Sequence, residues 1–330
     1  CSLGESLFGL PQTDLPDLVT IGKELKLLSK LYGLYTDVIE TINGYGDILW
    51  IEINIESMSN QVQDFTNRCR KMPKTLRDWD AYEELKKTID NFNDTLPILQ
   101  MMAHKAMRPR HWDAISKLCG THLEWESATF KVQNLLDANL LDHAEDVEEI
   151  CTGAVKEADI EVKLAKVSED WVDQEFTTSP FKNRGNIMLK SAETAELMTL
   201  LEDTQMVLGS LMSNRFNGPF RPAIALWIQK LSTTQEVLEQ WLMVQALWIY
   251  LEAVFSGGDI ARQLPQEAKK FQNIDKSWNK IMDACNNNPN CVNFCFHEEF
   301  LRNLLPHLQE SLDSCQKSLS GYLEAKRNLF

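Results

Sequence analysis

No stretch of the 330-residue chain approaches the ~18 consecutive apolar residues of a membrane-spanning helix. The opening CSLGESLFGLPQTDLPDL also lacks the charged-then-apolar order of a signal peptide. Positive charge is scarce: 33 Lys and Arg against 48 Asp and Glu leave a formal net charge of −15. Nucleic-acid backbones and anionic membranes reward clustered cations, so neither is expected as a partner. The basic knots at 68–74 and 105–110 are short.

Catalytic signatures are missing as well. A phosphate-cradling G-x-x-x-x-G-K-[ST] loop does not occur, since Gly22-Lys23 is followed by Glu24 and has Asp17 in place of the first glycine. Gly44-Tyr45-Gly46 lacks the third glycine of a dinucleotide fingerprint, and no G-x-S-x-G elbow is present. His297-Glu298 has no second histidine three residues on, as a zinc protease would require. The six histidines stand singly, and His111 beside Trp112 reads as a packed helix-start residue. The carboxylates Glu145, Asp146, Glu148 and Glu149 read as a solvated helix face that a basic surface could dock on. By elimination the chain is expected to be structural or mechanical and not an enzyme, with no catalytic, cofactor-binding or metal-binding residue.

Cysteine is too dilute for a disulfide scaffold, with eight in the chain, and Cys69, Cys119, Cys151 and Cys315 fall in helical patterns as small apolar residues. Cys285-NNNPN-Cys291-VNF-Cys295-F-His297 gathers three thiols and an imidazole, but the spacing is not the paired Cys-x2–4-Cys pattern of a structural zinc site. It is expected to be an Asn/Pro-rich inter-helix loop carrying incidental thiols in a reducing compartment.

What the chain does have is helix. Its apolar fraction of 44% and charged fraction of 25% are those of ordinary globular protein. The length suits about two domains or one array of packed helices. Ile21, Leu25, Leu28, Leu31, Tyr35 and Val38 mark an amphipathic helix over 18–41, punctuated by Gly44 and Gly46. A helix from Trp50 to about Met72 should end at Pro73, Asp78 or Asp80 should cap the next, and Pro97 should begin another. Arg108-Pro109-Arg110 breaks the pattern and His111-Trp112 opens a helix closed by Gly120. Val147, Ile150, Cys151, Ala154, Val155 and Ala158 fit a one-faced surface helix. Leucines 197, 200, 201, 208 and 211 mark a helix over 192–212, and Leu305, Leu308, Leu312, Cys315, Leu319 and Tyr322 form a narrow terminal seam.

One segment breaks this pattern. Trp171 to Thr178 and Asn186 to Leu189 are richer in β-formers, and between them SPFKNRG supplies the turn residues Pro180, Asn183 and Gly185. They predict a β-hairpin, which must lie against flanking helices because a lone hairpin is marginal in water. Val237, Trp241, Val244, Trp248 and Leu251 then predict a long core helix. It should be closed by positive-φ glycine at Gly257-Gly258, with Asp259 as N-cap and a restart near Pro265.

Ordered landmarks from Pro97 to Phe330 resemble the N-terminal linker region of dynein heavy chains. They are MRPRHWDAI at 107–115, LLDHAEDVEEI, the segment from Trp171 to Phe176 with its hairpin, and LKSAETAELMTLLEDTQMVLGSLMSNRF at 189–216. WIQKLSTTQEVLEQWLMVQALWIYLEAVF, DIARQLPQEAKKF and CQKSLSGYLEAKRNLF complete the series. Residues 1–96 resemble the preceding linker helices more loosely. LEAVFSGGDIARQLP, with Ala253 where cytoplasmic members usually have proline, looks closer to axonemal outer-arm heavy chains.

The resemblance implies a mainly α, elongated array of serial helical bundles with one small β-hairpin insertion. It implies a tail-proximal bundle at 1–96, central helices with the hairpin near 171–190 at 97–213, and a ring-proximal bundle at 214–330. The implied function is a mechanical lever that transmits nucleotide-driven changes of a downstream AAA+ ring to the tail in ciliary motility. ATP and Mg would be bound by that ring, so this segment is expected to need no cofactor; the chain reads as a piece of something larger. The partners implied are the chain's own ring in cis and other dynein heavy, intermediate or light chains. The setting implied is the cytoskeleton and the axoneme of a cilium or flagellum. Phe181, Lys182 and Arg184 at the hairpin tip become candidate ring contacts, unless the hairpin merely caps a bundle. Trp241, Trp248, Gly257 and Gly258 become the rigid core and corner. The bend is expected around the hairpin and the long helix after it, or else at 214–222. The alternative is a passive helical scaffold on which dynein-associated chains dock.

Overall fold

Apolar residues at steps of three and four become buried stripes along most of the predicted helices, and the departures fall where proline or polar residues made the boundary hard to place. The computed structural model describes residues 2–11 and 13–328, so Leu329 and Phe330 of the last landmark, and Cys1, lie outside the described residues. The chain forms two compact units, Cys1–Lys156 and Glu157–Phe330. The three-part division at 96/97 and 213/214 does not coincide with them: residues 157–213 share one core with 214–330.

In the first unit α1 (Ser2–Leu7) precedes α2 (Pro16–Gly46). A 3-10 turn at Trp50–Glu52 leads to α3 (Ile55–Arg70), and another at Lys74–Leu76 leads to α4 (Asp80–Met102). Then come α5 (Pro109–Cys119), α6 (Val132–Leu136) and α7 (Ala144–Val172), within which the unit boundary falls. Leu31, Leu34 and Val38 of α2 pack with Met58, Val62 and Phe65 of α3 and with Leu85, Ile89 and Phe92 of α4. A second core begins at Ile98 and Leu99 of the same α4 and takes in Trp112, Ile115, Val132, Leu135, Val147 and Cys151. Trp112 stacks on Trp125 at 5.5 Å and meets Trp50 edge-on at 5.8 Å.

Several boundaries differ from expectation. Pro97 lies inside α4 and does not start a helix, because Leu96, Ile98 and Leu99 around it are all buried and their packing outweighs the backbone bond that proline cannot donate. The N-cap of α4 is Trp79, without a side-chain cap from Asp78 or Asp80. The helix expected from Trp50 starts at Ile55, where the Asn54 side chain accepts from Ser57 N at 3.0 Å. Ile21 and Leu25 are exposed, since α2 meets its core only from the half-buried Leu27 and the buried Leu31 onward. His111 is buried and its Nδ1 accepts the Arg108 N–H at 3.0 Å, closing the start of α5, while Gly120 ends that helix at φ 65°.

The second unit holds β1 (Thr178–Pro180) and β2 (Asn186–Leu189), then α8 (Ser191–Met212). A 3-10 turn at Gly218–Phe220 leads into α9 (Arg221–Phe255). α10 (Asp259–Gln263), α11 (Pro265–Asn287), α12 (Cys291–His297) and α13 (Glu299–Arg327) complete it. Trp171 and Val172 belong to the end of α7 and not to a strand, because the indole is buried and its Nε1 donates to Thr204 Oγ1 of α8 at 3.2 Å. α9 is the central element, packed by α8, α11, α12 and α13. The α13 seam of Leu305, Leu308, Leu312, Cys315 and Leu319 is buried in this unit's core. The chain is thus mainly helical, with a single two-stranded antiparallel sheet among the described residues.

Candidate functional site

The hairpin is short, and its turn explains its shape. β1 and β2 pair Thr178 with Leu189, Ser179 with Met188 and Pro180 with Asn186, with a register irregularity between Ser179 and Pro180. Lys182 sits at φ 52° and Gly185 at φ 84°, both left-handed. Phe181 N donates to Gly185 O and Arg184 N to Phe181 O, each at 3.0 Å, so the tip backbone is closed on itself.

Two strands alone would not hold, and the helices supply what is missing. On the free edge of β2, the buried Gln245 of α9 pairs with the Leu189 backbone: its Oε1 accepts the N–H at 2.8 Å and its Nε2 donates to the carbonyl at 3.2 Å. Trp278 of α11 donates Nε1–H to Ile187 O at 3.0 Å. Asn286 donates to Asn186 O at 2.8 Å and accepts from the Thr178 hydroxyl at 2.7 Å. Ahead of β1, Phe176 N donates to Pro289 O at 2.8 Å and Cys291 N to Gln174 O at 2.9 Å.

The tip lies across α9 and α11. Phe181 meets Trp248 edge-on at 5.0 Å, and Trp248 stacks on Trp278 at 5.5 Å. The Arg184 guanidinium lies 5.3 Å over the Trp248 ring and takes both oxygens of Asp275, at 2.8 and 2.6 Å. Asp275 Oδ1 also accepts the Trp248 Nε1–H at 3.1 Å. Lys182 pairs with Glu252, whose side chain is only 4% exposed, and Arg184 stands 4.0 Å from the other oxygen of that carboxylate. A buried carboxylate is tolerated when cations and donors surround it, and here the hairpin brings both cations.

The structure therefore brings together four of the residues singled out in the sequence: Phe181, Lys182, Arg184 and Trp248. Trp241 lies in the same core, edge-on to Phe176 at 5.2 Å and tilted against Phe294 at 5.6 Å, with no hydrogen-bond partner for its Nε1. Gly257 and Gly258 stand apart from the dock in the connection between α9 and α10. No left-handed glycine closes α9: its C-cap is Ser256 in the right-handed helical region, and Gly258, at a φ of 159°, is the N-cap of α10. Asp259 is the first residue of α10 and pairs with Arg262 at 3.7 Å, while α11 does start at Pro265. Residues 214–222 hold the buried Asn217, whose Nδ2 donates to the last carbonyls of α8, Leu211 O at 3.2 Å and Met212 O at 2.6 Å.

Glu252, Asp275, Gln245 and Trp278 were not singled out in the sequence. A signal existed for two of them. Gln245 and Glu252 continue the Trp241–Trp248 stripe at helical spacing, and a polar residue on an apolar stripe asks for a buried partner. The spacing of Phe271, Ile274, Trp278 and Ile281 marks Trp278 as core without saying that it serves the hairpin, and nothing local marks Asp275.

The cysteines of this cluster lie in helices, and only residues 288–290 form the Asn/Pro-rich connection between them. Cys285 belongs to α11, and Cys291 and Cys295 to α12, because their thiols pack in the core as apolar groups while His297 faces solvent. Burial pushes the Cys285 thiol up to about 12 and also raises those of Cys291 and Cys295. Among the described residues no group of three or more His, Cys, Asp or Glu is placed to hold a metal, and no helix is long and apolar enough to cross a membrane.

The geometry is that of a docked structural insertion, and comparison with known proteins supplies the family. Residues 18–330 match the family model described as dynein heavy chain, N-terminal region 2. The chain is 55% identical to human dynein axonemal heavy chain 8 over 329 residues, 100% of this chain and 7% of that protein. It is 51% identical to mouse dynein axonemal heavy chain 5, over 99% of this chain and 7% of that one. It is 50% identical to the dynein gamma chain of the flagellar outer arm of Chlamydomonas reinhardtii, over 100% of this chain and 7% of the relative. The chain thus spans a small fraction of the length of these relatives, and over nearly all of its own length it belongs to the dynein heavy chain family, in N-terminal region 2.

Proposed function

We propose that this segment is a force-transmitting lever of an axonemal dynein heavy chain, working in the cilium or flagellum. It passes changes in a downstream AAA+ ring toward the tail and carries out no catalysis itself. ATP and Mg are assigned to the ring of the parent, and other dynein chains are assigned as assembly partners. The tail-to-ring order 1–96, 97–213 and 214–330 is part of this proposal, with 157–213 moving together with 214–330 because they share a core.

The observation that carries the reading is the docked hairpin. A lever must resist bending, and the second unit ties a surface insertion to α9 and α11 by side-chain bonds that span 56 to 108 residues of sequence. Bending at the hairpin would break the Arg184–Asp275 and Lys182–Glu252 pairs, and bending at 214–222 would strip Asn217 from the end of α8. Either is a discrete event of the kind a two-position element needs.

The test is a pair of fluorophores in the full heavy chain, one within 157–330 and one on the ring. Transfer efficiency should change between nucleotide states. The same efficiency in every state would reject the lever and leave the passive scaffold for dynein-associated chains.

A further inference from the structure

The helix α2 runs past the core it serves. From Pro16 to Lys26 none of its residues is buried, a length of about three turns or about 16 Å. This free stretch is nevertheless apolar along one row. Leu18, Ile21 and Leu25 are 60%, 50% and 59% exposed, and the half-buried Leu28 continues them at the same steps of three and four. The row is distinct from Leu31, Leu34 and Val38, which face the core shared with α3 and α4, and Lys23, Lys26 and Lys30 lie on the side away from it. About three turns of helix are marginal in water by themselves, so an apolar row on them calls for a partner. That partner is not α1. Its Leu3 and Leu7 are 78% and 76% exposed, and Glu5 fixes the connection to α2 by accepting the Thr13 N–H at 3.0 Å and the Thr13 hydroxyl at 2.6 Å.

We propose that the row of Leu18, Ile21, Leu25 and Leu28 is the docking face for a helix from the part of the same heavy chain that precedes Cys1. The apolar surface does not stop at α2 but runs on through Phe8, Leu7 and Leu3 toward the start of the sequence, so what covers the row also borders those residues. The face lies at the leading edge of N-terminal region 2, which begins at residue 18, while the relatives match the residues ahead of it as well, over 100% of this chain. The chain spans only 7% of the length of such a relative. A segment joined covalently next to the row meets it at an effective concentration of the order of mM, which a separate chain does not match. Asp17 and Glu24 edge the row on one side, and the small Gly22 and Ser29 edge it on the other, where they allow close approach. The helix that fits therefore carries apolar residues at the same steps of three and four, bordered by Lys or Arg.

The experiment places a photoreactive benzophenone side chain at Ile21 of the full heavy chain, with denaturing electrophoresis and peptide mass spectrometry to identify what it joins. The product should keep the mass of one heavy chain, with position 21 coupled to a peptide ahead of Cys1. Coupling to a second copy, to a different polypeptide or to any residue from Cys1 onward would overturn the docking, as would the absence of coupling. Hydrogen exchange of the unmodified heavy chain supplies a second arm. The amides of 18–26 should exchange at least ~100-fold more slowly than those of an uncovered helix of this length, and exchange at the uncovered rate overturns the docking. Ile21→Asp should speed that exchange at least about tenfold by setting a charge in the apolar contact, whereas Lys23→Asp on the far side should change it by less than about twofold. Equal effects of the two variants would show that nothing covers the row. Neither arm depends on nucleotide state, so failure here leaves the lever untouched, and an unmoving lever leaves the docking untouched.

Discussion

Gln245 and Leu189 lie 56 positions apart, and the side-chain amide of one forms two hydrogen bonds with the backbone of the other: the carboxamide takes the Leu189 N–H at 2.8 Å and gives to its carbonyl at 3.2 Å. A helix side chain thus plays the part of a third strand along the open edge of β2. That edge is buried, and water cannot replace the bonds.

Gln245→Leu should therefore be costly although it preserves size. It leaves a buried N–H and a buried C=O unpaired, at ~1–3 kcal/mol for each such group. The expected loss is roughly 2–4 kcal/mol, measurable by chemical denaturation. A loss below about 0.5 kcal/mol would show that the edge finds other partners.

The two tryptophans of the α9 stripe should respond differently to the same change. Trp248 donates to Asp275, stacks on Trp278 and lies beneath Arg184, whereas the Trp241 Nε1–H has no hydrogen-bond partner. Trp241→Phe removes an unsatisfied donor along with some volume, so it should cost less than Trp248→Phe by about 1–2 kcal/mol. The same denaturation experiment on both variants checks the order, and the reverse order would refute it.

Asn217 should matter more than a surface asparagine. Its Nδ2 serves two carbonyls at the end of α8, so Asn217→Ala should cost about 1–2 kcal/mol. Hydrogen exchange should speed up in the last turn of α8 ahead of the rest of that helix. Uniform behaviour along α8 would argue against a capping role.

The buried thiols set an alkaline limit. Burial raises Cys285 to about 12 and Cys151 to about 11 from the ordinary 9.0. A group whose folded pKa is raised gives its full stabilisation below the unfolded value and loses it as pH climbs toward the folded one. From this source, stability should be flat below pH 9 and should fall between pH 9 and about 12. Alkylation at neutral pH should also reach the half-buried Cys119 well before Cys285, Cys291 or Cys295. Equal labelling rates under native conditions would contradict this burial.

The helices were legible wherever one face was apolar, as in the α13 seam or the stripe of Trp241, Val244, Trp248 and Leu251, because a 3.6-residue repeat is a local property. Pro97 and Trp171 were misplaced for the converse reason. A proline predicts an end, and a tryptophan near β-formers predicts a strand, but neither local preference outweighs burial in a core assembled from distant residues. The hairpin was legible from its turn residues, and its need for helical support followed from its size. The surface that supports it was not legible.

The sequence by itself determined that this is a mainly helical chain with one hairpin. Its ordered landmarks placed it among dynein heavy chains, a placement that the comparisons over residues 18–330 bear out. Only the tertiary structure decided that the tip residues Phe181, Lys182 and Arg184 are engaged within their own unit, that Lys182 pairs with the buried Glu252, and that Arg184 is held by Asp275. Periodicity states which face of a helix is buried but not what covers it. The pairings that make this dock join residues 70 and 91 positions apart, a distance over which no local pattern carries information.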